Sequence, residues 1–227
     1  MMRGAKKHHL SERDPERHLS MSDAVPSFVY LLPCRHEDIL KVGLSRDPLS
    51  RMRTLHPRFF EFFDLERGLL VSTESVTAAR ALEAELFADA ADHSAPAPLL
   101  VPHAAGGHTE WFRGAGALLG AAARRRCEAG GHRLHACLGA WVRARMAAEA
   151  ACLYESSSHL MRAIEVADAY GMRDVPVEES LRNLLDSFVA AGVDLAPRVP
   201  ATVAAWYAGS RSRGAAGRPT LTRERVP

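Results

Sequence analysis

Four polar features lie in one order along the chain, and their side chains suit one kind of chemistry. They are Tyr30 in an apolar segment, residues 41–45, Arg51, and Glu110 before two aromatic residues. Hydrolysis of a phosphodiester needs an activated water and charge stabilisation at phosphorus. A single carboxylate with waters can hold a hard cation such as Mg²⁺, and a guanidinium binds phosphate oxygens in bidentate fashion. These residue types are compatible with phosphodiester chemistry.

The same motifs carry a resemblance to a known family. Residues 30–32 read Y-L-L, residues 41–45 read K-V-G-L-S, and residues 110–112 read E-W-F, with Arg51 between them. This order resembles the GIY-YIG endonuclease superfamily, and most of all its phage-ORF-like branch, whose motifs read Y-x-L, K-[IV]-G-x-[TS], R and E-W-F. The resemblance covers about residues 27–119. It implies a divalent-metal-dependent endonuclease that hydrolyses DNA with Mg²⁺ or another divalent cation.

The resemblance also implies a role for each residue. Tyr30 would relay a proton from the attacking water, and Arg51 would bind the phosphate. Lys41 stands where the family has a second tyrosine, and it places a cation near the phosphate. Glu110 would hold the metal ion. These four are the predicted catalytic residues, and Glu83 falls where this branch usually keeps a glutamate.

Further residues are predicted to contact DNA. Gly43 would let the DNA backbone approach the sheet closely, and Ser45 would donate to a phosphate. Arg53 lies near the predicted phosphate-binding arginine in sequence. A helical cluster is a further candidate for contacts to the phosphate backbone: Arg124, Arg125 and Arg126. A solvated helix face in an Arg-rich chain explains that cluster nearly as well.

Departures from the family pattern leave an alternative open. Phe28 and Val29 replace the Gly and Ile of the first motif, and Lys41 replaces a tyrosine of the second. The alternative is a catalytically inactive GIY-YIG-like module that binds nucleic acid or another protein. Taken singly, each residue also fits a structural role, such as a core aromatic for Tyr30 or an acid at a helix start for Glu110.

The elements that must position these residues follow from local patterns. Apolar runs at 28–32 and 39–44 predict an antiparallel hairpin, and a third strand is expected at 68–72. Asp47-Pro48 predicts a helix start, and a longer helix is expected over about 75–91. Residues 109–112 are expected to open another helix. The predicted class is α+β, with a small three-stranded antiparallel sheet flanked by helices over residues 27–119.

The rest of the chain shows no strand pattern. Residues 120–207 are predicted to form an all-helical C-terminal region for targeting or assembly, through which the chain forms a homo-oligomer or binds a protein partner. Residues 1–26 are predicted to be a disordered arm, with a second possible start at Met21, and residues 208–227 a disordered basic tail.

A Cys and His cluster offers another metal site. The residues spell C-x4-H-x2-H-x-C and comprise Cys127, His132, His135 and Cys137. Cys and His are zinc ligands, but this spacing fits no common zinc module. Ordinary helix residues around a Gly-Gly break are the favoured interpretation.

Composition limits the class of protein. The chain is 47% hydrophobic and 25% charged, close to the globular average. Its apolar stretches reach about ten residues against the roughly 20 that a membrane span needs, so no membrane partner is expected. Four cysteines without a C-x-x-C pattern favour a reducing, cytoplasmic setting, and codon bias suggests a bacterial source. The net charge is +2, and residues 27–119 hold more acidic than basic residues, so a basic footprint for nucleic acid is not obvious there.

Overall fold

The computed structural model describes the backbone of residues 26–216, with side chains described to residue 210. The predicted arm, residues 1–26, lies outside the described residues apart from Pro26. Of the predicted tail, residues 217–227 also lie outside them. Residues 208–216 of the predicted tail belong to the last helix.

Three antiparallel strands form the centre of the sheet. They are β1 (Ser27–Pro33), β2 (Ile39–Ser45) and β3 (Leu69–Thr73), and β1 lies between the other two. Tyr30 of β1 stands opposite Gly43 of β2. The predicted hairpin and third strand are therefore confirmed.

Three short strands extend this centre. They are β4 (Ser94–Ala95), β5 (Trp111–Arg113) and β6 (Arg133–His135), and the order across the sheet is β4-β5-β2-β1-β3-β6. The α+β class is confirmed, but the sheet has six strands among the described residues rather than the predicted three. Strand β6 also lies in the region predicted to be all-helical. Three residues give too short a pattern for alternation to reveal a strand.

The predicted helix opening at residues 109–112 is wrong. Trp111 and Phe112 lie in β5, where they pair with Lys41 and Leu40 of β2. Successive side chains of a strand point to opposite faces of the sheet. Accordingly, Trp111 and Phe112 are buried in two different apolar clusters.

Four helices flank the sheet. Helix α1 (Pro48–Leu55) begins as predicted, because the side chain of Asp47 accepts a hydrogen bond from an amide of the first turn and proline occupies that turn. A short helix α2 (Phe59–Phe62) follows it. Helices α3 (Val76–Asp89) and α4 (Gly116–Ala129) are longer, and α3 matches the helix predicted over about 75–91.

The two faces of the sheet pack against different partners. One face packs against α3 and α4 and presents Val29, Leu31, Leu40, Val42 and Phe112. The other packs against α1 and α2 and presents Tyr30, Leu32, Ile39, Leu70 and Trp111. By strand alternation Lys41 and Gly43 share the face of Tyr30. The predicted catalytic residues of β1 and β2 therefore lie on the opposite side from α4.

The C-terminal helices complete the core on the Tyr30 side. They are α5 (Leu138–Glu149), α6 (Leu153–Ala169), α7 (Val175–Ala190) and α8 (Ala201–Ala216). Their buried side chains join the same apolar cluster as the α1 side of the sheet and include Leu138, Val142, Leu153, Leu181 and Phe188. Within residues 26–216 no helix has the length and apolar character that crossing a bilayer requires.

Candidate active site

Tyr30 and Gly43 form the floor of the site. The two residues face each other across β1 and β2, and Tyr30 is only 2% exposed. A Cβ atom added to Gly43 would lie 2.7 Å from Cζ of Tyr30 and closer still to its hydroxyl oxygen. The space above Gly43 is therefore filled by the phenol ring, not left open for the DNA backbone as the sequence suggested. Gly43 is needed because only hydrogen fits under that ring.

Arg51 reaches the same place from α1. The buried stripe of this helix holds Leu49, Met52 and Leu55 against the core. The guanidinium Nε of Arg51 donates to the hydroxyl oxygen of Tyr30 at 3.4 Å. This contact joins two of the predicted catalytic residues.

Lys41 and Glu110 form an ion pair beside them. Nζ of Lys41 lies 2.7 Å from Oε2 of Glu110, and the lysine side chain is 0% exposed against 30% for the glutamate. Nζ also lies 5.3 Å from the ring centroid of Trp111. Lys41 is thus a buried cation with a specific partner, whereas a lysine in a strand is ordinarily solvated.

The side chains of Glu110, Lys41 and Arg51 converge next to Gly107. A Cβ atom on Gly107 would lie 2.6 Å from Oε2 of Glu110, 2.7 Å from Nζ of Lys41 and 3.0 Å from Nη2 of Arg51. Arg51 in turn contacts Tyr30. A carboxylate, an ammonium, a guanidinium and a phenol therefore meet at one place on the sheet, although they come from β1, β2, α1 and the residue before β5.

Backbone carbonyls of the preceding loop complete the site. Nη1 of Arg51 donates to the carbonyl of Ala105 at 2.5 Å and Nη2 donates to that of Gly106 at 3.4 Å. Lys41 donates to the carbonyl of Gly107 at 2.8 Å. Sequence reasoning missed these three residues. The only signal was the Gly-Gly pair shortly before Glu110.

Glu83 on α3 lies at the open edge of β2. The amide of Val42 donates to the carbonyl of Glu110 at 3.1 Å, and the backbone of Leu44, next along the same edge, acts to lower the pKa of the Glu83 carboxyl. Burial raises the pKa of Glu83, and the negative charge of Glu110 raises it further, although Lys41 opposes this. Two mutually repelling carboxylates therefore lie on this edge.

Burial also sets the protonation of Tyr30 and Lys41. It raises the pKa of Tyr30 to about 12, although the hydrogen bond and the charge of Arg51 oppose it. The phenol therefore keeps its proton at neutral pH. Burial lowers the pKa of Lys41, while the hydrogen bond and charge of Glu110 oppose that shift.

Two predicted DNA contacts near the site have partners inside the protein. The hydroxyl oxygen of Ser45 accepts from the amide of Asp47 at 3.0 Å, which leaves its hydrogen free to donate. Arg53 forms an ion pair with Glu149 of α5 at 3.1 Å. Arg53 thus ties α1 to the C-terminal helices.

The predicted Arg cluster lies elsewhere. Arg124, Arg125 and Arg126 belong to α4, which packs on the sheet face opposite Tyr30. Arg126 forms ion pairs with Glu85 and Asp89 of α3. This placement argues against a phosphate track shared by the cluster and the candidate site.

The sequence offered two possible metal sites, the Cys and His cluster and Glu110. Cys127 donates to the carbonyl of His132 and Cys137 donates to Glu66, so the two thiols have separate partners. No group of three or more His, Cys, Asp or Glu side chains in the described part of the chain has a geometry that would hold a metal ion. Mg²⁺ needs no such cage, because it keeps several waters and takes one or two carboxylates plus substrate phosphates. Glu110, with Glu83 nearby, fits that requirement.

Comparison with protein families, with curated proteins and with solved structures found no match to this chain. The resemblance to the GIY-YIG superfamily is therefore a resemblance of sequence motifs.

Proposed function

We propose that the chain is a GIY-YIG-like endonuclease that hydrolyses DNA phosphodiester bonds with a divalent cation, its C-terminal helices serving targeting or assembly. The observation that carries the proposal is the meeting of Lys41, Arg51 and Glu110 around Gly107, with Tyr30 in contact with Arg51. Four residues spread over about a third of the chain share one small region. Ordinary packing of a core does not require two cations, a phenol and a carboxylate to be neighbours.

A cation held by Glu110, with Glu83 close by, would supply positive charge to the phosphate oxygens. Arg51 would bind phosphate oxygens with its guanidinium, a planar fork that matches them. Lys41 would add a second positive charge from the floor of the site. These two side chains stabilise the negative charge that grows on phosphate as the bond breaks.

Tyr30 would handle a proton. With its pKa raised to about 12, the phenol is neutral at physiological pH and is not a base on its own. It would relay a proton by passing its own hydrogen to a solvent water while it accepts that of the attacking water, so that the proton ends in bulk solvent. The hydrogen bond from Arg51 steadies the phenol oxygen and favours the transient loss of its proton.

Cleavage of supercoiled plasmid in Mg²⁺ tests this assignment. Glu110→Gln should lose cleavage while it retains DNA binding, because it removes the ionised carboxylate and keeps the side chain's shape. Glu74→Gln is the matched control, since this exposed glutamate lies before α3 and is not one of the residues that form the site. Cleavage by Glu110→Gln at the wild-type rate would show that the roles are wrongly assigned.

A specific observation also favours the second candidate, a catalytically inactive module that binds nucleic acid or protein. Oε2 of Glu110 is already paired with Lys41, which competes with a metal ion for that carboxylate. Salt-sensitive DNA binding without Mg²⁺-dependent cleavage would support this candidate. Binding to neither DNA nor RNA would favour a protein adapter.

A further inference from the structure

The loop over residues 103–109 covers the candidate site. Buried apolar side chains hold it in place: Val101, just before the loop, is 5% exposed, and Ala105, within it, is 7% exposed. His103 and His108 brace it from within, with their rings stacked at 4.8 Å and Nε2 of His108 2.9 Å from the carbonyl of His103. The loop has a defined conformation and leads directly into Glu110.

Three consecutive carbonyls of this loop accept hydrogen bonds from the buried Lys41 and the half-buried Arg51. Arg51 donates to the carbonyls of Ala105 and Gly106, and Lys41 donates to that of Gly107. These are the donors that the proposed function assigns to a phosphate. A carbonyl oxygen and a phosphate oxygen accept the same kind of hydrogen bond, so both cannot use these donors at once.

The two glycines make this contact possible. Gly106 has φ 67° and ψ −178°, a region that essentially only glycine occupies. Gly107 has φ 66°, and a Cβ there would clash with Glu110 and Lys41. The closed loop therefore depends on the absence of side chains at two adjacent positions.

We propose that residues 103–109 are a removable cap whose carbonyls occupy a phosphate subsite formed by Arg51 and Lys41, and that DNA must displace the cap to bind. The inference rests on the proposed function, because it takes DNA as the ligand. Closure hides the fully buried ammonium of Lys41, and opening exposes both cations to the phosphate backbone. When only a small fraction of the molecules is in the open state, the apparent affinity for DNA falls to that fraction of the open state's affinity.

Gly106→Ala tests the cap, since alanine disfavours the closed backbone and nothing lies within 4 Å of the added methyl group. Gly171→Ala is the matched control, because Gly171 has φ 67° and equally open surroundings in the turn between α6 and α7. Binding of a short duplex DNA is measured by fluorescence anisotropy without divalent cations. Gly106→Ala should bind roughly fivefold tighter or more, and Gly171→Ala should bind like the wild type.

Gly107→Ala gives a second route to the open state through its clash, and hydrogen exchange of the loop provides a readout without DNA. Both variants should exchange faster than wild type over residues 103–109. Wild-type or weaker DNA affinity in both variants would overturn the cap while leaving the nuclease proposal standing. Tighter binding without cleavage in Mg²⁺ would uphold the cap and overturn the nuclease. Absence of DNA binding in every variant would overturn both.

Discussion

Glu110→Gln should destabilise the protein even though the replaced side chain is near the surface. The substitution leaves the ammonium of Lys41, which is 0% exposed, without its carboxylate. Removing one partner of a buried ion pair costs about 3–5 kcal/mol. Here the glutamate is 30% exposed and Lys41 keeps the carbonyl of Gly107 and the face of Trp111, so we expect about 2–3 kcal/mol.

The reverse substitution should cost less. Lys41→Met leaves Glu110 partly exposed, where water can solvate the carboxylate, and fills the volume of the buried lysine stem. We expect the free energy of unfolding to change by no more than about 1 kcal/mol. The double variant Lys41→Met/Glu110→Gln should recover most of the deficit of Glu110→Gln, because it has no buried charge left unpaired.

The deficit of Glu110→Gln should also depend on pH. Burial lowers the pKa of Lys41, and loss of Glu110 removes the interaction that opposes this shift. In the folded variant Lys41 then loses its proton at a lower pH than in the unfolded chain. The deficit should therefore shrink as the pH rises from neutral towards the ordinary pKa of lysine.

Denaturant unfolding of the four proteins at several pH values measures these quantities. Equal stability of Glu110→Gln and the wild type across this range would refute the reasoning. A double variant as unstable as Glu110→Gln would refute it too, because the loss would then not come from an unpaired lysine.

Three further predictions concern the floor of the site and its far side. Gly43→Ala should lower the free energy of unfolding by about 1–3 kcal/mol, because the added methyl group clashes with Tyr30. The double variant Gly43→Ala/Tyr30→Phe should recover part of this loss, and equal losses in both variants would exclude the clash as its cause. One tyrosine should ionise near pH 12 in a spectrophotometric titration, and this step should be missing in Tyr30→Phe. If all tyrosines of the wild type ionised near pH 10, the raised pKa of Tyr30 would be contradicted. Replacing Arg124 and Arg125 with serine should change the affinity for duplex DNA less than about twofold, since α4 lies on the opposite face; a large loss would place DNA on that face.

The parts of the fold that local signals control were predictable. Asp47 and Pro48 alone predict where α1 begins. Two apolar runs with a short link predict the β1–β2 hairpin. Strand β5 was not predictable, because three residues after an acidic residue also resemble a helix start. Its identity as a strand comes from pairing with β2, a contact between residues some 70 positions apart.

For the site, too, local features were predictable and long-range contacts were not. The order of Tyr30, Lys41, Arg51 and Glu110 is visible in the sequence, and so is their chemistry. Their long-range partners are not. Arg53 pairs with Glu149, and the loop carbonyls reach Arg51 only through the closed conformation of residues 103–109. The role of Gly43 was misread because the ring that fills the space above it belongs to another strand.

Single-turnover cleavage of duplex DNA by Tyr30→Phe, with DNA affinity measured on the same preparation, tests the central claim most directly. Phenylalanine keeps the buried ring and removes only the hydroxyl that Arg51 contacts. The account predicts unchanged DNA affinity and a cleavage rate lowered at least about 100-fold. Cleavage by Tyr30→Phe at the wild-type rate would contradict it.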